Sequence, residues 1–294
     1  MREIDREAHD LCELGLQHMW EGEVDAALDS YGRAFAVAES EEARELITIR
    51  KAEALIACDR EGAEVSALPG IVMRRRSPRH VYLAAYALLR RFSEANDRQR
   101  ALFYGQIASK ASDELGEPLA RANVLNGLGV VHVAESQFSE GIVQFDQALA
   151  IIACAPQDDA RVRALRPVVI GNLGGAKIVS GGTEDGIRMV ASVLDELNAD
   201  DLVAEGCLDL CFGYVELEQY EIAEAYGQRG LDLAVTRRQV RNGHHLLGEI
   251  CVRTNRYAEA DEHFDVVAGF YPEFKNVKQL LVAVDLCSVV NWKA

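Results

Sequence analysis

The chain has 294 residues, 49% of them hydrophobic and 27% charged, which excludes wholesale disorder and leaves room for one large domain or two ordinary ones. Asp and Glu (47) outnumber Lys and Arg (31), a formal net charge of −16. That balance disfavours nucleic acid and anionic membrane as general partners, since both attract basic surfaces.

Strand-like alternation is scarce. Apolar residues recur at spacings of three and four, as in Leu11, Leu14 and His18 or Leu246, Leu247, Ile250 and Cys251, so nearly the whole chain is predicted helical. Seven helix pairs are predicted at about 5–38, 41–73, 78–115, 117–154, 158–198, 200–235 and 238–270. The first is anchored on Leu14-Gly15, with Ala27, Tyr31 and Ala34 at twelve, sixteen and nineteen residues after the glycine. The second shows no clear anchor. The third has Leu88-Leu89 at its anchor, followed by Ala101 and Ala108. The fourth runs from Leu128-Gly129 to Gly141, Phe145 and Ala148, and the fifth from Leu173-Gly174 to Gly186, Val190 and Val193. Leu210-Cys211 with Ala223, Gly227 and Gly230 forms the weaker sixth, and Leu247-Gly248 with Ala260, Phe264 and Val267 the seventh. An aromatic lies nine residues after three of the anchors: Phe138, Tyr220 and Tyr257. The interval of 45 between anchors 129 and 174 implies an insertion near Pro156-Gln157-Asp158-Asp159, with Pro167 bending or ending a helix. Residues 275–292 read as a terminal helix whose Leu280, Leu281, Val284, Leu286 and Val289 need cover. It is expected to cap the array, or to be a surface through which copies of the chain associate.

Small residues at the anchor and twelve later let two antiparallel helices approach closely, and the residue at sixteen fills the gap to the next hairpin. Each hairpin leaves an apolar face open, so the copies must stack. This pattern of leucine-small, aromatic, Ala, Phe or Tyr, and Ala resembles the tetratricopeptide (TPR) repeat over roughly residues 5–270. The period is longer than the family's basic one and is similar to its long-helix regulatory and scaffold members, as is the asparagine-bearing stretch Ala122 to Gly129. The resemblance implies an all-α, right-handed α-solenoid of about seven hairpins plus a capping helix, a single superhelical domain over 1–294.

Compartment and chemistry follow by elimination. The start, Met1-Arg2-Glu3-Ile4-Asp5-Arg6-Glu7, lacks the apolar core of a secretory signal, and the longest apolar run, Val81 to Leu89, is nine residues. The seven cysteines, at 12, 58, 154, 207, 211, 251 and 287, form no disulfide framework. A reduced, cytoplasmic protein is expected. Gly171-Asn172-Leu173-Gly174-Gly175-Ala176-Lys177 lacks the spacing of a phosphate loop, and no nucleophile elbow occurs. The register puts Cys207 and His244 at matching positions on neighbouring first helices, so Cys207, Cys211 and His244 form the one metal constellation to weigh against core packing. No catalysis, cofactor or metal is expected.

What remains is surface. In the resembled family first-helix residues line a concave groove, at offsets six, three and two before the anchor and one and four to five after it. The resemblance therefore assigns Tyr86 and Arg90 in the third pair, Asn123 and Asn126 in the fourth, and Asn172 in the fifth. It adds Asp209 and Phe212 in the sixth, and Asn242, His245, Glu249 and Arg253 in the seventh. Asparagines there suit the backbone of an extended or helical peptide, whereas the family's basic clamp for a C-terminal carboxylate is missing. The run Arg74-Arg75-Arg76-Ser77-Pro78-Arg79 reads either as a solvated loop or, through Arg74, Arg75, Arg76 and Arg79, as a docking patch for an acidic partner. Residues 70–130 carry a net charge of +5 between arms of −10 and −11. A protein or peptide partner is expected, with no nucleic acid and no membrane. The alternative is a peptide- or ligand-sensing solenoid. With the first pair starting near residue 5, it would act through a separate output protein.

Overall fold

The computed structural model describes residues 3–273 and 276–283. Among them are fifteen α-helices, one 3-10 turn at Leu194–Glu196, and no strand. The helices pair as α1 (Glu3–Trp20) with α2 (Val24–Val37), α3 (Glu41–Ala57) with α4 (Ala63–Arg74), and α5 (Pro78–Glu94) with α6 (Arg98–Leu115). Then come α7 (Pro118–Ala134) with α8 (Phe138–Ala153), α9 (Ala160–Val179) with α10 (Thr183–Val193), α11 (Asp200–Glu216) with α12 (Tyr220–Asp232), and α13 (Arg237–Arg253) with α14 (Tyr257–Gly269). Helix α15 (Val277–Ala283) follows. Pro167 lies inside α9, which continues through it.

Every hairpin turns by the same device. Seven residues after each anchor one residue adopts positive φ: Gly22, Asp59, Asn96, Ser136, Gly181, Glu218 and Asn255. The next amide then bonds back to the carbonyl three residues after the anchor, as in Glu23 N to His18 O, Asp97 N to Phe92 O and Arg256 N to Cys251 O. A second bond joins the positive-φ residue's own amide to the carbonyl three residues earlier. This is a Schellman C-cap, which satisfies the orphan carbonyls of the first helix and reverses the chain. Asp59 and the Arg60 N to Leu55 O bond obey the same rule. They locate the anchor missing from the second pair at Ala52, 37 residues after Gly15.

Starts are capped individually. Ser40, Ser77 and Asp97 side chains accept the amides of Ala43, His80 and Arg100. Thr236 and Gln239 form a reciprocal capping box on α13, and Gln239 Nε2 also donates to Asp201 O at 2.7 Å.

The chain packs as two compact units. One takes residues up to Val131 together with Ala150–Val162, the other His132–Leu149 and the residues from Arg163 on. In the first unit, Tyr31 lies among Ala8, Cys12, Ala27, Ile47 and Ala54. It also reaches back over its own anchor, since a Cβ on Gly15 would stand 2.7 Å from Tyr31 Cδ1. The +16 residue therefore closes its own hairpin as well as meeting the next. In the second unit Leu208, Leu210, Cys211, Val215, Leu246 and Ile250 form a wholly buried core. At its end, Leu281 of α15 packs with Cys251, Ala260, Phe264 and Val267, while Lys278 Nζ binds Asp261 and Asp265 at 2.7 and 2.6 Å. Most of the terminal helix expected at 275–292 lies outside the described residues, including Val284, Leu286 and Val289. No helix among the described residues is long and apolar enough to cross a membrane.

Candidate functional site

In the first unit, the first helices α3, α5 and α7 carry a polar and aromatic cluster. Arg50 and Glu53, two before and one after the anchor Ala52, are half-buried and pair at 2.7 Å. Tyr82 and Tyr86 of α5 stack with centroids 6.0 Å apart, and Asn123 Nδ2 of α7 faces the Tyr82 hydroxyl at 3.5 Å. Gly127 of α7 makes room for this, since a Cβ there would lie 3.4 Å from Tyr86 Cε2 and 2.8 Å from Leu89 Cδ2. Burial pushes both phenols up, so each hydroxyl remains a donor at neutral pH. Asn126 is buried and Arg90 is exposed. The structure thus brings Tyr86 and Asn123 together and adds Arg50, Glu53 and Tyr82.

In the second unit, Asp209 of α11 is buried against α9 at Gly175, where a Cβ would come within 2.9 Å of its Cγ. Asn242 of α13 is 2% exposed. Its Oδ1 accepts from Arg241 Nε at 3.0 Å, and Arg241 Nη1 reaches the Tyr271 hydroxyl at 3.2 Å. Its Nδ2 is buried with no hydrogen-bond partner among the described residues. Glu249, also buried, accepts from Arg253 Nε at 2.8 Å. Phe212 is buried, while Asn172, His245 and Arg253 are half-buried. About half of the assigned lining residues are therefore buried and offer little surface of their own.

The basic run is largely neutralised inside the chain. Arg74 Nε and Arg76 Nε hold Glu45 Oε1 at 2.7 and 3.2 Å, Arg76 also binds Glu41 at 2.5 Å, and Arg75 lies 3.7 Å from Glu114. Buried His80 completes the cluster, with Nδ1 3.3 Å from Glu45 Oε2. Burial of Glu45 works to raise its pKa, but the bonds from Arg74 and His80 and the charges of Arg74 and Arg76 outweigh it and hold the carboxyl below its ordinary value. Arg79 is exposed.

Cys207, Cys211 and His244 do not assemble as ligands. Among the described residues, the group of three or more potential ligand side chains whose donor atoms all lie within 4.8 Å is His18, Glu21 and Glu23, at the α1–α2 turn. Cys207 and Cys211 are wholly buried, and desolvation pushes both thiols up, away from the thiolate a metal would need. His244 instead meets His263 of α14, Nδ1 to Nδ1 at 2.9 Å. Burial lowers both imidazoles; His263 feels Glu262, Glu224 and Glu259 in the opposite sense.

This backbone is that of TPR-like helical-repeat proteins. No protein-family model matches the sequence, and no curated protein matches it, so the likeness rests on three-dimensional structure. A crystal structure of a Rap protein complexed with competence and sporulation factor is similar at a TM-score of 0.69 and 14% identity, over 96% of this chain and 79% of that one. NprR in complex with its cognate peptide NprX is similar at 0.61 and 14%, over 96% and 83%. A tetratricopeptide repeat protein from Parabacteroides merdae gives 0.50 and 13%, over 97% and 100%.

Proposed function

We propose that the chain is a non-catalytic interaction module that binds a peptide, or a single helix of a partner protein, on the face made by α3, α5 and α7 of its first unit. The observation that carries this reading is the likeness to NprR held with its cognate peptide, which spans 96% of this chain. The chemistry of that face supports it. Tyr82, Tyr86 and Asn123 offer two donor hydroxyls and an amide beside stacked rings, suited to a ligand with both main-chain and apolar surface. The net charge of −16 favours a protein or peptide ligand over a nucleic acid.

The test is selection of ligands for the purified chain from a displayed random-peptide library, followed by fluorescence anisotropy with Tyr86→Ala and Asn123→Ala. Loss of one hydrogen bond predicts about tenfold weaker binding for Asn123→Ala, and loss of the stacked ring a comparable effect for Tyr86→Ala. Selected peptides that bind both variants with full affinity would place the site elsewhere. In a sensing version of the module, the scattering curve changes at saturation; an unchanged curve refutes that version alone.

A further inference from the structure

The last hairpin departs from its siblings at one register. Four residues before the anchor and fifteen after it, the seven hairpins carry Leu11 and Ser30, Thr48 and Ala67, Ala85 and Tyr104, Leu125 and Gln144, Ile170 and Met189, Cys207 and Tyr226, and finally His244 and His263. Only the seventh puts two imidazoles there. The other six hairpins fill this level with side chains as different as Ser30, Tyr104, Gln144 and Met189, so the repeat itself gives no reason for a histidine on both sides.

The geometry gives one. Gly248 and Phe264 set the closest approach of α13 and α14, since a Cβ on Gly248 would stand 2.7 Å from Phe264 Cδ1. His244 is one turn before Gly248, and His263 adjoins Phe264. Their rings meet with centroids 5.2 Å apart, tilted by 51°, and with the two Nδ1 atoms 2.9 Å apart. Two neutral imidazoles in this arrangement share one proton: one ring is the Nδ1–H tautomer and donates, while the other offers its Nδ1 lone pair. Nitrogens bound to a common zinc at about 2.0–2.1 Å and the tetrahedral angle are roughly 3.3 Å apart. To admit a cation of that size the nitrogens must part by about 0.4 Å and the rings turn by roughly 35° so that both lone pairs converge on it. Both side chains are half-buried and lie on two helices fixed by their own core contacts, so the pair is preorganised.

We propose that His244 and His263 form a binding site for a zinc-class divalent cation, which clips α13 to α14 through both Nδ1 atoms, water filling the remaining positions. On binding, the donor ring's proton moves through solvent from Nδ1 to its Nε2. Each ring still carries one hydrogen, so no net proton is released when both start neutral. The site shares no residue with the α3, α5 and α7 cluster and does not depend on peptide binding.

The test uses the full chain, stripped with a chelator and titrated with Zn²⁺ alone in a calorimeter. The comparison is with His244→Gln, His263→Gln and, as controls, His18→Gln and Cys207→Ser. The expected result is one site of matched affinity in the wild type and both controls, abolished in either His244→Gln or His263→Gln. Nitrogen-15 histidine spectra of the wild type provide a reading that needs no variant to fold: Zn²⁺ should shift both Nδ1 resonances and convert both rings to the Nε2–H form. No binding, binding removed only by His18→Gln or Cys207→Ser, or unshifted Nδ1 resonances at saturating Zn²⁺ would each overturn the assignment.

Discussion

The close approach at the anchor is sharply testable at Gly248, in the middle of α13. Replacing a mid-helix glycine by alanine ordinarily stabilises by about 0.8–1.0 kcal/mol, because alanine loses less backbone entropy. Here the new Cβ would lie 2.7 Å from Cδ1 and 2.9 Å from Cζ of Phe264, and closer still to Cε1. Phe264 is wholly buried and packed with Cys251, Ala260, Val267 and Leu281, so the ring has nowhere to turn. Overpacking of this kind costs about 1–3 kcal/mol, and expelling the ring forfeits about the same again in burial. We expect Gly248→Ala to destabilise by up to about 2 kcal/mol net, the clash outweighing the propensity gain. Gly171→Ala is the matched control, since nothing stands within 4 Å of its Cβ position in α9. It should stabilise by about 0.5–1 kcal/mol. Urea unfolding followed by circular dichroism reads both, with hydrogen exchange of α13 and α14 to localise the effect. If Gly248→Ala stabilises as much as Gly171→Ala, the anchor glycine is not there for helix approach.

Two further outcomes follow from features of the turns and the buried charges. Glu218 occupies the positive-φ turn position at φ 58 and is exposed, so Glu218→Gly should stabilise by about 0.5–1 kcal/mol in thermal melts; a loss would mean the side chain makes contacts that matter more than its backbone strain. Glu45 has its folded-state pKa depressed, so its contribution is present above the ordinary carboxylate range and lost as the pH falls through the folded value. Glu45→Gln should therefore lower the melting temperature at neutral pH and flatten its decline toward acid; an unchanged acid limb would show that the Arg74, Arg76 and His80 cluster does not contribute.

Helix type and the repeat were legible because they depend on local spacing. The anchor of the second hairpin was not, because it is an alanine followed by Glu53, with Leu68 in place of an aromatic sixteen residues on. Arg50 and Glu53 went unassigned with it, although the interval of 37 from Gly15 to Ala52 equals that of the last pairs and could have located them. The turn residue was hidden for a different reason. Only Gly22 and Gly181 of the seven are glycines; the rest are Asp, Asn, Ser or Glu, which accept positive φ at some cost. Pairings across long separations were out of reach altogether. Arg74 to Arg76 read as a solvated loop or a docking patch because their carboxylates are remote: Glu41 and Glu45 come from α3, and Glu114 from α6. His244 was matched with Cys207 along the array because its true neighbour, His263, lies across the hairpin on α14.

The constant turn has a consequence for where this chain can grow. Anchors follow one another at 37, 37, 40, 45, 37 and 37 residues, yet the stretch from anchor to turn is seven residues every time. Most of the variation in length falls after the turn, in the second helix or the link beyond it, and the rest at the start of α9, which has 20 residues where α3, α5, α7, α11 and α13 have 17. The link from Cys154 to Asp159, held by Gln157 Nε2 on the carbonyls of Ile152 and Ala155, has already absorbed the largest excess. An engineer seeking to splice a binding loop or a reporter into this scaffold would find its permissive seam there, while the same insertion at Ser136 or Gly181 would unhook a first helix from its partner.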